Sequence, residues 1–339
     1  MKCIMKTNNK SIGWGVVGLG WVAADFVVPP MAKNPGSRLV ACLGSSPDKS
    51  REFAQRFGFE HACNDLDALL RTPGVDAVYI ALPNAMHHAA VMAAARAKKH
   101  VLCEKPFAMT VAHAREMASA CRDASVILRI AHQIRLEEAI VRAREIVQSG
   151  RLGRLSSISL ERSSANPARK TWRLDIAQSG VIFDVGVHLL DLIQWVTGQR
   201  YAEVSAFTNP DRRQGKSDDT ITILGRMADG CHAIARATRE VASAEHNLII
   251  EGSDATLITS ALRFAKEHVV RVRDAKGVTT EERFAPSPAY DLEIRAFEGE
   301  IRGERSHLPD DDDGIHNVLV TQAVLRSIEQ RRIVEVAAP

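Results

Sequence analysis

The chain has 339 residues, more than a single hydrophobic core usually serves, so two domains are expected. Hydrophobic residues make up 45% and charged residues 25%, as in typical globular proteins, and a formal net charge of only +3 argues against nucleic acid or a membrane surface as a partner. No apolar run is long enough to span a bilayer, and residues 1–10 are too polar for a secretory signal. The six cysteines form no C-x-x-C pair, which favours buried thiols in a reducing compartment over a disulfide framework or a metal site. These features predict a cytoplasmic protein.

The first part of the chain alternates short apolar strands with helical segments. The strand at 12–17 ends at a glycine-rich turn, and strands and helices then follow one another. The further predicted strands are 38–43, 77–82, 100–103 and 126–130, and the predicted helices are 47–57, 87–98 and 111–121. This alternation predicts an α/β fold in which residues 1–132 form a Rossmann domain with a doubly wound parallel sheet.

The pattern changes after about His132. An amphipathic helix at 137–148 is followed by longer strands in succession, some separated by glycine turns that suggest hairpins. The predicted strands are 155–161, 202–207, 220–227, 231–237, 246–251 and 268–273. We therefore expect residues 133–339 to form an α+β domain for substrate binding and oligomerisation, with a mostly antiparallel open sheet and a last helix able to pack back on the first domain. The acidic run 310–313 is predicted to be a solvated loop whose charge suits the N-terminus of that helix.

A glycine motif stands at the end of the first strand. Residues 18–23 read GLGWVA and fit the pattern G-x-G-x-x-[G/A] between a strand and a helix. The first glycine permits a tight turn, the second lets the backbone approach a pyrophosphate, and the small last residue allows close packing of helix on strand. The alternative is a glycine turn without a ligand. The predicted dinucleotide contacts here are Gly18, Gly20, Trp21, Val22 and Ala23.

Three further segments follow in a distinctive order. They are 82–87 (LPNAMH) after the third clear strand, 104–106 (EKP) after the next, and 184–188 (DVGVH) at the start of an apolar helix. With the glycine motif they resemble the family of glucose–fructose oxidoreductase, inositol dehydrogenase and rhizopine-catabolism proteins (Gfo/Idh/MocA), over almost the whole chain. The resemblance implies an NAD(P)-dependent oxidoreductase that transfers hydride between the nicotinamide and a carbonyl or secondary alcohol of a sugar, anhydrosugar or polyol.

Lys105, Asp184 and His188 are the candidate catalytic residues. Lys105 follows a parallel strand at the edge where doubly wound sheets bind ligands, and could donate a hydrogen bond to the reacting oxygen. Asp184 and His188 are four residues apart, so on a helix they share a face, and a carboxylate beside an imidazole suits general acid–base chemistry. The alternatives are a salt-bridged surface lysine and a helix-capping aspartate beside a packed histidine. A metal is not expected, because no third ligand has suitable spacing.

The remaining cofactor contacts come from the second strand's end and from the resemblance. No carboxylate ends strand 38–43, whereas glycine, serines and a lysine follow it, which favours NADP, with NAD as the alternative. The other interpretation is that the serines cap the next helix and Lys49 is solvated. A narrower likeness to one NADP-dependent reductase of the family implies contacts from a tryptophan–arginine pair and a tyrosine. The full set is Gly44, Ser45, Ser46, Lys49, Leu82, Pro83, Asn84, His87, Glu104, Lys105, Trp172, Arg173 and Tyr290.

Two other functions stay open at this point. One is an NAD-dependent glycosidase of the same superfamily, and the other is a non-enzymatic NAD(P)-binding sensor, against which the candidate catalytic residues argue. The expected partners are a small, neutral, sugar-like substrate and further copies of the chain, in a homodimer or homotetramer. No nucleic acid or membrane partner is expected.

Overall fold

The fold is described from a computed structural model, over residues 11–164, 179–244, 246–260 and 266–337. Contacts divide the chain into two compact units. Of the described residues, the first unit comprises 11–108, 112–133 and 288–312, and the second comprises the others. Among the residues described, no helix is both long and apolar enough to cross a membrane.

The first unit is built on a parallel six-stranded sheet. Its strands are β1 (Ile12–Val17), β2 (Ser37–Leu43), β3 (His61–Ala62), β4 (Ala77–Ile80), β5 (His100–Glu104) and β6 (Leu128–Ala131). Their order in the sheet is β3-β2-β1-β4-β5-β6, so the direction of winding reverses between β1 and β4. β1 is buried along its whole length, as a central strand covered on both faces must be. The predicted Rossmann fold is thereby confirmed.

Helices cover this sheet, and capping residues in the sequence mark where some of them begin and end. They are α1 (Val28–Lys33), α2 (Pro47–Phe57), α3 (Leu66–Arg71), α4 (His87–Arg96), α5 (Val111–Asp123) and α8 (Ala289–Ile301). Ser46 caps the start of α2, where its hydroxyl accepts from the amide of Lys49, and Gly58 ends α2 in the left-handed region. α8 joins this unit from far along the chain. Its buried Glu298 accepts hydrogen bonds from Trp14 Nε1 at 2.9 Å and Asn34 Nδ2 at 3.0 Å.

The second unit is built on a nine-stranded sheet. Its strands are β7 (Leu155–Ser163), β8 (Tyr201–Asn209), β9 (Thr220–Met227), β10 (His232–Thr238), β11 (His246–Gly252), β12 (Ala255–Thr259), β13 (His268–Asp274), β14 (Thr279–Phe284) and β15 (Val334–Glu335). The order is β14-β13-β12-β11-β7-β10-β9-β8-β15, and β7 with β10 is the one parallel pair among these strands. The helices α6 (Glu138–Gln148), α7 (Val187–Thr197) and α9 (Asp311–Gln330) contribute to the core on one face. The mostly antiparallel sheet is confirmed.

The acidic run at residues 310–313 differs from the sequence prediction. Residues 311–313 form the first turn of α9 and are not a solvated loop. Asp313 lies 2.8 Å from the guanidinium of Arg135. Arg135 is buried, and two of its nitrogens also donate hydrogen bonds to Asp191. Burial alone would raise the pKa of the Asp313 carboxyl, but Arg135 and Arg200 outweigh burial and hold this pKa below its ordinary value. The loop prediction was wrong for residues 311–313, which are helical, whereas Asp310 precedes the helix and is exposed as expected.

Candidate active site

The glycine motif forms a turn at the carboxyl ends of β1, β2 and β4. Gly18 has φ +94°, and a Cβ there would lie 2.4 Å from the carbonyl oxygen of Ala81, so only glycine fits. Gly20 is exposed, and a Cβ built on it meets nothing within 4 Å. Ala23 is fully buried and begins a π-helical turn, Ala23–Val27, that leads into α1. The tight turn and the open space at Gly20 fit a bound pyrophosphate.

Two candidate cofactor residues lie in one aromatic cluster of the first unit. Tyr290, at the start of α8, stacks on Phe26 with ring centroids 5.3 Å apart. Phe26 in turn meets the ring of Trp21 edge to face at 5.2 Å. Tyr290 is therefore held next to the glycine motif, although it lies 269 positions after Trp21 in the sequence. Phe26, which the sequence analysis did not single out, makes this link.

The candidate residues for contact with the adenosine ribose of the cofactor lie at the end of β2. Lys49 Nζ donates to Ser45 Oγ at 3.1 Å, and the amide of Gly44 donates to Ser50 Oγ at 2.9 Å. Ser46 acts as the helix cap described above, as the alternative interpretation expects. Arg51 is engaged by Asp48, one turn before it on α2. Lys49 is thus the cation held against the end of β2, while Arg51 is neutralised locally.

His87 ties together the turns that follow β4 and β5. Its side chain is fully buried, with Nε2 3.0 Å from the carbonyl oxygen of Leu82 and Nδ1 2.9 Å from that of Pro106. Burial lowers the pKa of the imidazole below its ordinary value, while its contacts with the two carbonyl oxygens act in the opposite direction. Between these anchor points the chain makes a short 3₁₀ turn at Asn84–Met86, in which Asn84 is buried. His87 positions both turns, and its contact with a cofactor stays a prediction.

Glu104 and Lys105 stand at the carboxyl end of β5. Glu104 Oε1 accepts from the hydroxyl of Tyr79 at 2.8 Å, and Oε2 accepts from the amide of Lys105 at 3.1 Å. Burial, together with the neighbouring carboxylates of Glu104 and Glu293, raises the pKa of Tyr79 far above its ordinary value, so this hydroxyl remains a donor. Lys105 itself is half-buried. The pattern indicated Lys105, but Tyr79 and the buried Glu293 carry no motif that would have revealed them.

Asp184 and His188 lie in the second unit, where a π-helical turn, Ile182–Gly186, runs into α7. His188 is buried, whereas one third of the Asp184 side chain is exposed. The predicted shared helix therefore exists, but it begins with the wider π turn, a form often found at functional sites. A buried imidazole four residues from a partly exposed carboxylate suits proton transfer at a surface that a substrate can reach.

A buried charge cluster holds the start of this helix. Asp218 is fully buried, and its Oδ2 accepts from the amide of Ile182 at 3.0 Å while its carbonyl accepts from Val181 at 3.0 Å. Gly180 has φ +106°, and a Cβ there would lie 2.1 Å from Asp218 Oδ1. Arg239 lies 3.9 Å from Asp184 Oδ2. None of these partners was foreseen, because they come from β9 and β10 and their neighbours and share no spacing with the motif.

The described part of the chain accounts for most of the predicted site. The candidate dinucleotide contacts that it includes, and Lys105, belong to the first unit, and the candidate acid–base pair belongs to the second. Trp172 and Arg173 lie outside the described residues. Within the described ranges, no group of three or more His, Cys, Asp or Glu side chains is arranged to hold a metal ion.

Comparison with protein families decides the identity. The model of an oxidoreductase family with an NAD-binding Rossmann fold matches residues 12–132, and the model of the GFO/IDH/MocA C-terminal domain matches residues 140–258. Together the two models cover more than half of the chain.

The chain belongs to the Gfo/Idh/MocA oxidoreductase family.

Relatives resemble this Gfo/Idh/MocA protein along most of its length. The 1,5-anhydro-D-fructose reductase of Ensifer adhaerens is 28% identical, over 95% of this chain and 98% of the relative. Levoglucosan dehydrogenase of Pseudarthrobacter phenanthrenivorans is 29% identical, over 73% of this chain and 72% of its own. The crystal structure of aldose-aldose oxidoreductase from Caulobacter crescentus, complexed with glycerol, superposes with a TM-score of 0.86 and 25% identity, covering 96% of this chain and 100% of that one. The family resemblance is confirmed, and the protein is an NAD(P)-dependent oxidoreductase.

Proposed function

We propose that this enzyme transfers hydride between NADP(H) and a carbonyl or secondary alcohol carbon of a neutral sugar, anhydrosugar or polyol. The observation that carries the proposal is the placement of a partly exposed carboxylate, Asp184, four residues before a buried imidazole, His188, where the π-helical turn runs into α7 beside a buried charge cluster. A protein that only senses dinucleotides needs the glycine turn but not this pair. The reductase and dehydrogenase relatives named above act on substrates of the proposed class by their names, which supports the same assignment.

Each candidate residue has a distinct role in the proposed reaction. The nicotinamide, when bound, supplies or accepts the hydride. Lys105 donates a hydrogen bond to the reacting oxygen and stabilises the charge that develops on it. His188 gives a proton to that oxygen, or takes one from it, and Asp184 orients the imidazole. The glycine turn and the aromatic cluster hold the dinucleotide, so that much of the rate comes from positioning.

A substrate screen tests the function. NADPH and NADH loss would be followed against ketoses, osones, anhydrosugars and inososes, each beside its phosphorylated counterpart where one exists. We expect net oxidation of NADPH with an unphosphorylated member, because the net charge is near zero and Arg239 lies between the carboxylates of Asp184 and Asp219. Glycoside cleavage without net cofactor consumption would favour the glycosidase alternative, and binding without any turnover would favour the sensor.

Preference for NADP is assigned to Lys49. The ammonium of Lys49 donates to Ser45 at the end of β2, which supports a contact with a 2′-phosphate there, and a charge-assisted contact is worth roughly 1.5–3 kcal/mol, which is tenfold or more in affinity. We expect Lys49→Ala to weaken NADPH binding by about tenfold and to leave NADH binding unchanged. Calorimetric titration of both cofactors measures this. Arg51→Ala is the matched control, since Arg51 is paired with Asp48. Tighter binding of NADH than of NADPH by the parent enzyme would refute the assignment.

We further propose that copies of the chain pair through the open face of the nine-stranded sheet, in a homodimer or homotetramer. Phe207 on β8 is 68% exposed and Leu224 on β9 is 47% exposed, while alternate residues on both strands are buried in the core. A two-fold axis would bring the same apolar patch together from both subunits. Light scattering should give a multiple of 37.1 kDa for the parent, and Phe207→Glu should lower it.

The cytoplasm is the proposed compartment. The described cysteines, Cys42, Cys63, Cys103, Cys121 and Cys231, are all buried and free. Burial raises the pKa of the Cys42 and Cys121 thiols to about 12, so these side chains stay as unreactive thiols. Free thiols of this kind are typical of proteins in reducing compartments. Cell fractionation would test the placement, and recovery from a secreted fraction would contradict it.

A further inference from the structure

Tyr79 lies on β4, inside the parallel sheet of the first unit, and its side chain is fully buried. In the sheet it pairs with Leu102 of β5. Side chains alternate along a strand, so Glu104, two residues after Leu102, is on the same face of the sheet as Tyr79. The phenol hydroxyl donates to Glu104 Oε1 at 2.8 Å. A hydroxyl from one strand therefore meets the carboxylate that ends the neighbouring strand.

The other carboxylate oxygen of Glu104 holds the main chain at Lys105. This oxygen, Oε2, accepts from the amide of Lys105 at 3.1 Å. On the other side of Lys105, Nδ1 of His87 lies 2.9 Å from the carbonyl oxygen of Pro106. The backbone that carries the Lys105 side chain is thus held both just before and just after that side chain.

The two hydrogen bonds of Glu104 fix the orientation of its carboxyl group. Because each oxygen accepts one of them, the carboxyl plane cannot turn without breaking a bond. Glu104 is 8% exposed, so water is a poor replacement for either donor. Burial, with the neighbouring carboxylates of Glu104 and Glu293, raises the pKa of the Tyr79 phenol far above its ordinary value, so the phenol keeps the proton that it donates.

We propose that Tyr79 is a positioning residue for Lys105. Through Glu104, its hydroxyl fixes the main chain from which the ammonium extends, so that this donor needs little reorganisation to meet the reacting oxygen. A phenylalanine would fill the same space in the core, so packing alone does not require the hydroxyl. The catalytic part of the inference rests on the proposed function, whereas the anchoring of Lys105 does not depend on any substrate.

Hydrogen–deuterium exchange at the amide of Lys105 measures the anchor directly. Tyr79→Phe removes the hydroxyl and keeps the ring. We expect the amide of Lys105 to exchange about tenfold faster in this variant, because the Glu104 carboxyl is held less firmly. Mass spectrometry with fragmentation to single residues resolves this amide.

Tyr201→Phe is the matched control for the loss of a buried hydroxyl. Tyr201 is buried at the start of β8 in the second unit, and among the residues that the structure describes its hydroxyl has no hydrogen-bond partner. Exchange at Lys105 should therefore match the parent in Tyr201→Phe.

A double-mutant cycle with Lys105 separates positioning from general stabilisation. With a substrate from the screen, Tyr79→Phe should lower kcat by roughly tenfold in the parent and have almost no effect in a Lys105→Ala background, because the residue through which it acts is gone. A merely structural role would lower kcat by the same factor in both backgrounds. Calorimetric NADPH affinity should show the same dependence on Lys105.

Three results would overturn the proposal: parent exchange at Lys105 in a folded Tyr79→Phe protein, equal losses of kcat in the two backgrounds, or faster exchange at Lys105 in Tyr201→Phe. If Tyr79→Phe does not fold, Glu104→Leu takes its place, since leucine accepts neither hydrogen bond, and parent exchange at Lys105 in that variant overturns the proposal. Absence of turnover in the parent, or full activity in Lys105→Ala, counts against the proposed function alone, and the exchange result then decides the anchor.

Discussion

Replacement of His188 by alanine is expected to reduce turnover by roughly two to four orders of magnitude, the usual contribution of a positioned acid–base residue. The imidazole is buried at the start of α7, four residues after Asp184. A water molecule in its place would not be held in position for proton transfer. Asp184→Asn should cause a large loss as well, because the amide cannot compensate an imidazolium. NADPH binding should change little in both variants, since neither residue belongs to the glycine turn.

The measurement is kcat with the best substrate of the screen, combined with calorimetric binding of NADPH. His246→Gln is the matched control, because it also removes a buried imidazole from the second unit. Burial lowers the pKa of His246 to about 4, so this ring is neutral at the assay pH and its loss should affect Tm more than kcat. Near-normal turnover in His188→Ala would remove His188 from the mechanism.

Lys105→Ala is expected to impair two properties at once. Loss of a donor to the developing oxyanion costs on the order of 10²–10³ in kcat, and the same ammonium is predicted to contact the cofactor. NADPH binding should therefore weaken too. Lys105→Arg keeps the charge but places planar donors where a compact ammonium stood, so it should recover binding better than turnover.

Lys99 offers the matched control for this experiment. It lies just before β5, at the opposite end of the strand from Lys105, and its Nζ donates to the carbonyl of Val75 at 2.8 Å. Lys99→Ala should leave kcat and cofactor binding near the parent values. A Lys105→Ala enzyme with full activity would contradict the assigned role, whatever the result for Lys99.

Sequence patterns were sufficient where an element carries its own signals within a few residues. The apolar strand 12–17, the helix 47–57 and the strand 220–227 have the predicted bounds. Short or exposed elements were missed. β3 has only two residues, and β14 is exposed over most of its length, so neither shows the alternation of apolar and polar residues that reveals a half-buried strand.

The motifs were likewise predictable only where their geometry is set by a few neighbouring residues. The turn at Gly18 follows from backbone sterics within a few residues. Because the segment is helical, the spacing of Asp184 and His188 places them about one turn apart. The π-helical form of that turn, and of the turn after the glycine motif, has no sequence signal that we recognised. The ion pair of Asp313 with Arg135 was equally hidden, because an acidic run before a helix has the same pattern whether or not an arginine from elsewhere in the chain meets it.

By itself, the sequence determined the Rossmann fold, the family and the candidate chemical groups, because strand–helix alternation and compact motifs depend on backbone geometry over one or two turns. Only the tertiary structure decided which charges and rings surround those groups. Tyr79 meets Glu104, Tyr290 meets Phe26, and Arg239 approaches Asp184 because sheet order, strand register and helix packing bring together residues far apart in the chain. Arginines and carboxylates occur throughout this sequence, so no spacing distinguishes the pairs that meet, and their partners follow from the fold.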